Sequence, residues 1–277
     1  MLNGLRGTLT WVRAHPGYEG SRTLVREAVW AARSRLGKST IVPFGQGRFY
    51  CPAEPRGMAR LAYIFRDRYE PELPELHRWV APGEITVDVG AHYGSYTIAL
   101  AAIVGDAGRV VAVEPATHAL SVLRRNLQLN GLTNVEVVPV GLGDSDGRAV
   151  LHMHSDLSRA SLNQFEEGDT GSEQVRLARL DDLIPADQRV AFVKIDIEGY
   201  ELPALRGANR ILSKDRPVVL FELQPAAAIR GGLPAFGVWD LLAEHGYRFE
   251  RLSRSGERMS VADPSTPGAP NVTALPT

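Results

Sequence analysis

The segment Val87-Asp88-Val89-Gly90-Ala91-His92-Tyr93-Gly94-Ser95-Tyr96 sets an acidic residue inside an apolar run and follows it with a glycine-containing turn. A strand-to-helix turn of this kind lets the main chain pass close to a ligand, because glycine has no side chain in the way. Glu114 closes the next apolar run, 24 residues beyond Gly90. In a doubly wound fold a carboxylate at that place accepts from ribose hydroxyls and so fixes an adenosine. The dinucleotide pattern GxGxxG is absent, since His92 stands where its second glycine belongs, which argues against a nicotinamide dehydrogenase.

A third segment, Phe192-Val193-Lys194-Ile195-Asp196-Ile197-Glu198-Gly199-Tyr200-Glu201, delivers carboxylates to the end of a buried strand. Ligands of open α/β sheets bind at that edge. Asp196 and Glu198 could accept from a cofactor ammonium or from substrate, act as a base, or share a divalent cation such as magnesium with Glu222. Glu198 and Glu201 could equally be first-turn residues that favour a helix N-terminus. His92, His118, His152 and His154 are further bases by type. His152 and His154 share one side of a strand, but no third His or Cys lies near them in sequence, so a metal pair is not expected there.

These residues need a frame. Apolar runs at 85–89, 109–113, 135–138, 191–195 and 218–220 alternate with helical patterns at 96–104, 117–129 and 200–212, which predicts a parallel sheet covered on both faces. Asn130-Gly131 stops the second of these helices. Ahead of this core the pattern predicts a helix over 23–36, two short strands within 40–51 and a helix within 67–80; beyond it, a helix over 236–245 and an antiparallel pair at 247–252 and 259–262. The expected organisation is an N-terminal extension or cap over 1–80 and a cofactor-binding domain over 81–262. Extended runs at 149–153 and 174–180 flank an inserted loop at 155–172, and a proline-rich tail at 263–277 is expected to be disordered, its Asn271-Val272-Thr273 sequon a chance match.

In order and spacing the chain resembles the FkbM-type methyltransferases over residues 69–224. The likeness rests on Tyr69-Glu70, Asp88-Val89-Gly90-Ala91 with Gly94 and Tyr96, Glu114-Pro115 with Asn126 and Asn130, Ser161-Leu162, Leu180-Asp181, and Lys194-Ile195-Asp196-Ile197-Glu198-Gly199 with Glu201, Leu205 and Gly207. The resemblance implies a Rossmann-like class I methyltransferase fold and S-adenosylmethionine as donor. It puts the methionine part over 88–94, the ribose on Glu114 beside Pro115, and the adenine near Gly143 and Asp144, with Glu70, Tyr96 and Asp196 also at the cofactor. His92 replaces the family's usual asparagine and changes the donors offered to the cofactor carboxylate.

Hydroxyl groups of sugars, glycosides, polysaccharides or polyketide-type products are the acceptors the resemblance implies. Methyl transfer to an alcohol needs an in-line oxygen and removal of its proton. Asp196, Glu198, Glu222 and His92 are the candidates for that work, with contacts to the acceptor expected from residues 2–80 and 155–172. Transfer to an amine, or a cofactor-binding protein without activity, are the alternatives.

Composition narrows the partners. With 31 Lys and Arg against 32 Asp and Glu there is no sequence-wide positive charge to hold nucleic acid or an anionic membrane. Cys51 is the only cysteine, no signal-peptide pattern opens the chain, and no apolar run approaches the roughly 20 residues of a membrane span. A cytoplasmic protein with a small-molecule or oligosaccharide acceptor is expected, its oligomeric state open and a homodimer allowed.

Overall fold

The computed structural model describes residues 20–154, 160–163, 169–253, 256–268 and 270–277. Strands β3 (Ile85–Val89), β4 (Arg109–Val113), β5 (Val135–Val138), β10 (Val190–Ile195) and β11 (Val218–Glu222) pair in parallel. They stand in the order β11-β10-β3-β4-β5. The winding reverses between β3 and β10, and that reversal opens a crevice at the carboxyl ends of those two strands.

Each face of the sheet is built by strand alternation. Val87, Val89, Val193, Ile195, Val219 and Phe221 point one way, toward α6 (Glu201–Arg206), a π turn (Ile211–Asp215) and α8 (Gly237–Glu244). Phe192 and Leu220 point the other way, toward α3 (Ser95–Val104). Asp88, Lys194 and Glu222 share that second parity. Helix α4 (Thr117–Asn130) packs Leu120, Leu123 and Leu127 on Ala91 and Ala112, and ends at Gly131 with φ +63°.

The extension ahead of the core is α1 (Gly20–Arg35), the hairpin β1 (Thr40–Phe44) with β2 (Gly47–Cys51), and α2 (Met58–Phe65), which the residue pattern does not announce. Within it Arg60 and Glu27 form a buried ion pair at 2.6 Å. The helix expected within 67–80 is instead two 3-10 turns, Arg66–Arg68 and Leu73–Arg78, because Pro71 and Pro74 remove main-chain donors there. Asn126 and Asn130 of α4 tie this extension down. Their side-chain oxygens accept from the N–H groups of Tyr50 and Arg48 at 2.7 Å, and Asn126 also donates to the Tyr93 carbonyl at 2.8 Å.

A second, four-stranded sheet runs β6-β9-β7-β8, from β6 (Gly141–Leu142), β7 (Gly147–His154), β8 (Ala160–Ser161) and β9 (Asp169–Ala178). The loop expected over 155–172 is therefore shorter than predicted: its flanks are strands that zip from Gly147 opposite Leu177 to His154 opposite Asp169. Residues 155–159 and 164–168 of that expectation lie outside the described residues. The long helix expected over 200–212 is broken after Arg206, where a Cβ on Gly207 would meet the Gly143 carbonyl oxygen at 2.0 Å.

The largest departure is at the C-terminal end. Residues 271–276, placed in a disordered tail by composition, form strand β14 (Asn271–Pro276) in the interior of the main sheet. It pairs antiparallel with β11 on one side and with β12 (Tyr247–Leu252) on the other, and β13 (Arg258–Val261) closes the edge. The prolines at 264, 267 and 270 precede the strand and Pro276 ends it, so none interrupts its pairing. Asn271 of the sequon is buried and donates to Glu72 at 3.0 Å.

Candidate active site

The crevice at the reversal is a cleft of about 760 Å³ including its open mouth, walled by Val89, Gly90, His92, Glu114, Asp196 and Glu198 among others. An apolar concavity with a few convergent polar groups is the usual form of a small-molecule or cofactor site. Gly90 sits at φ +78°, and a Cβ there would stand 2.1 Å from the Asp196 carbonyl oxygen. The glycine is thus required by the neighbouring strand end and not by a ligand alone. At Gly94, φ +91°, the obstacle would be Leu123 of α4 at 2.6 Å.

Glu114 is 5% exposed and clips two turns together. One oxygen accepts from the His92 N–H and the other from the Ala116 N–H, both at 2.8 Å. Burial pushes its carboxyl up to about 7, against the pull of those N–H groups. Opposite it, Glu198 holds φ +55°, and His92 holds φ +50°. Left-handed backbone costs an ordinary residue roughly 1–2 kcal/mol, so both pocket-lining residues need support from their neighbours. For Glu198 the support comes from two sides. Glu201 accepts from the Ile197 and Gly199 N–H groups at 2.9 and 3.1 Å, while Ser161 and Asn163 donate to the Glu198 and Gly199 carbonyls at 3.0 and 3.2 Å.

Behind the cleft lies a buried polar cluster. Lys194 is 2% exposed, 3.4 Å from an Asp196 oxygen and 5.0 Å from the centre of the Tyr96 ring. Burial opposes its charge, but Asp196, Glu70, Glu222 and Asp88 outweigh that and hold its pKa above the ordinary lysine value. Tyr96 donates to Glu70, Thr97 donates to Asp88 at 2.5 Å, and Gln224 donates to Glu222. Burial raises Asp88 to about 6 and Glu70 to about 7. Glu222 rises to about 9, from burial first and then from Asp196, with which it shares a hydrogen bond. Glu222 and Asp196 thus hold a proton as a pair, more tightly than an isolated carboxylate would.

Among the described residues no group of three or more His, Cys, Asp or Glu is placed to hold a metal ion. The expected divalent cation on Asp196, Glu198 and Glu222 is not supported: the Lys194 ammonium already stands beside Asp196, and Glu222 is turned to Gln224, from which it accepts.

These carboxylates give the folded chain a pH signature. Asp88, Glu70, Glu114, Glu201 (about 7) and Glu222 all bind protons more tightly folded than their ordinary values of 3.8 to 4.5 allow. The folded state then holds more protons than the unfolded one above pH 4.5, so stability falls as pH rises through 6 to 9. The Tm is expected to drop by roughly 5–10 °C from pH 5.5 to pH 9 at constant ionic strength. Calorimetric scans showing Tm level or rising over that window would contradict the assignment.

Residues 88–249, more than half of the chain, match the model of the methyltransferase FkbM domain. The chain belongs to the FkbM methyltransferase family. Among curated proteins, Methyltransferase 1 of Beauveria bassiana (strain ARSEF 2860) is 28% identical over 144 residues, 44% of this chain. The match spans 57% of that relative's length. Similar solved structures include the methyltransferase FkbM from Methylobacillus flagellatus KT, at 21% identity and TM-score 0.45, over 78% of this chain and 53% of that one. Another is the O-methyltransferase from Bacillus cereus in complex with SAH, at 15% identity and TM-score 0.45, over 97% and 96%. No helix among the described residues is long and apolar enough to cross a membrane.

Seen residue by residue, the FkbM motif is divided between the cleft and its supports. Gly90, His92, Glu114, Pro115, Asp196 and Glu198 line the cleft. Asp88, Ala91, Gly94, Tyr96 and Glu70 do not: Asp88, Tyr96 and Glu70 belong to the buried cluster, and Ala91 and Gly94 pack against α4. Gly143 and Asp144 fall just beyond the wall, directly after Gly141 and Leu142 of β6, which line it. Glu222 lines a smaller neighbouring cleft with Gln224, Leu223 and Val238. Of the histidines, His118 sits outside the cleft, its Nε2 3.0 Å from a Glu54 carboxylate oxygen and 3.1 Å from the Tyr93 hydroxyl, which itself donates to Glu54. Ser161, Leu162, Ile197 and Tyr200, which belong to the motif segments, line the cleft as well, together with Met58, Val140, Leu142 and Leu151, ordinary apolar residues that carry no local signal.

Proposed function

We propose that the cleft binds S-adenosylmethionine and that the chain methylates a hydroxyl group, of a sugar or glycoside in preference to a polyketide-type product or an amine. The observation that carries the reading is the placement of Glu114 and Asp196 on the wall of one cleft at the sheet's reversal point, in a chain of the FkbM family.

The residues present fit this cofactor. Each Glu114 oxygen accepts one main-chain N–H and keeps a lone pair for a ribose hydroxyl. Val113, Val140 and Leu142 give the apolar slot that an adenine ring requires, and Asp196 is an acceptor suited to an ammonium group. When bound, S-adenosylmethionine supplies a methyl group made electrophilic by its sulfonium.

The chain's part is to orient the acceptor oxygen and take its proton. Asp196 is the first candidate, because it lines the cleft and is steadied from behind by its hydrogen bond with Glu222. His92, on the same wall, is the second. Glu198 and Tyr200 supply hydrogen-bonding groups around the cleft that suit a polyhydroxylated acceptor.

Calorimetric titration with S-adenosylhomocysteine tests the cofactor. Micromolar binding is expected, followed by transfer of labelled methyl to a panel of sugars and not to a matched panel of amines. A well-folded protein that binds no S-adenosylhomocysteine would remove the reading; labelling confined to amines would leave the cofactor and remove the acceptor.

A further inference from the structure

We propose that Ser161 and Asn163 form a latch by which the small roof sheet holds the Glu198-Gly199 turn in the conformation that faces the cleft. Both are positioning residues. The inference rests on the cofactor reading only for its ligand-binding arm.

Ser161 ends β8 and is 1% exposed. Its hydroxyl donates to the Glu198 carbonyl at 3.0 Å and accepts from the Asn163 N–H at 3.1 Å, so one buried oxygen joins roof and turn. Asn163 donates from its side-chain amide to the Gly199 carbonyl at 3.2 Å. Room for that amide comes from Gly231, where a Cβ would stand 2.4 Å from it. The carbonyls of the turn are thus held from the roof, while its N–H groups are held by Glu201 from α6.

The turn needs this hold because Glu198, at φ +55°, is not glycine. Its strain, of the size of one or two net hydrogen bonds, would otherwise favour relaxation of the wall. A ligand that needs the strained wall binds more weakly in proportion to the fraction of molecules that have it. The roof, through Ser161 and Asn163, sets that fraction. Ser161-Leu162 also belongs to the segments that carry the family resemblance.

Two readouts test the latch in the full chain. In amide hydrogen exchange, Ser161→Ala is expected to speed exchange of the Gly199 N–H about tenfold in the otherwise native chain, with Tm recorded alongside. The same substitution in the Glu198→Gly background, where no left-handed strain remains, is expected to change it less than about twofold. Titration with S-adenosylhomocysteine should follow, weakening about fivefold to tenfold in the first case and not in the second. Asn163→Ala provides the same comparison should Ser161→Ala fail to fold. Equal effects in both backgrounds, or none in either, would overturn the latch. Failure of the native chain to bind S-adenosylhomocysteine would instead strike the cofactor reading, with exchange still deciding the latch.

Discussion

Removing residues 271–277 is expected to leave a chain that forms no native sheet. Strand β14 lies between β11 and β12 and pairs with both, Val219 opposite Ala274 on one side and Phe249 opposite Ala274 on the other. Val272 and Ala274 are fully buried, and Thr273 and Leu275 nearly so. Burial of Val272 and Leu275 contributes roughly 1.5–3 kcal/mol each, and the two ladders add net hydrogen bonds of about 0.5–1.5 kcal/mol apiece. The sum is on the order of 10 kcal/mol, comparable with the entire stability of an ordinary domain. The loss also bares two facing strand edges, an invitation to aggregation. Circular dichroism and size-exclusion chromatography of the shortened chain would decide the matter. A monomer with native spectrum and a cooperative thermal transition would show that β14 is dispensable and that the paired register contributes little.

Glu114→Ala is expected to weaken binding of S-adenosylhomocysteine on the order of 100-fold and to lower Tm. The substitution strips acceptors from the His92 and Ala116 N–H groups at once. Each buried donor left unsatisfied costs about 1–3 kcal/mol, partly offset because the carboxylate is itself costly to bury, as its rise to about 7 records. Binding suffers further, since hydrogen bonds from ribose hydroxyls to a charged acceptor are worth about 1.5–3 kcal/mol. Glu114→Gln separates the two effects: it retains one oxygen acceptor and the side-chain volume, so Tm should fall less while affinity still drops. Unchanged affinity in a folded Glu114→Ala protein would mean that the cleft holds its ligand elsewhere.

The parallel core was legible because its strands are short apolar runs bounded by Gly, Pro and polar breaks, as at Ile85–Val89 and Arg109–Val113. Strand β14 was not, since four prolines dominate the composition of the last fifteen residues although they flank the pairing segment. The polar Asn271 reads as surface until Glu72, about 200 residues away, is seen to accept from it. At the site, residue type and spacing located Gly90, Glu114 and Asp196 at the cleft. They could not tell which carboxylates face it. Asp88 precedes Gly90 by two residues but points to Thr97 on the opposite side, and Glu222 meets Asp196 only through the packing of β10 on β11. Apolar wall residues such as Met58 and Leu151 come from elements folded over the cleft, so nothing local marks them.

The position of β14 also orders events during synthesis. Strands β12 and β13 leave the ribosome before β14, yet β12 joins the sheet through β14 alone. Domains generally assemble from the N-terminal side as the chain emerges. Here the half from β3 to β11 can assemble early, while the hairpin of β12 and β13 waits with an unpaired edge until Asn271–Pro276 slots in between. For that interval the nascent molecule offers two open strand edges, and insertion of β14 competes with domain exchange between neighbouring chains.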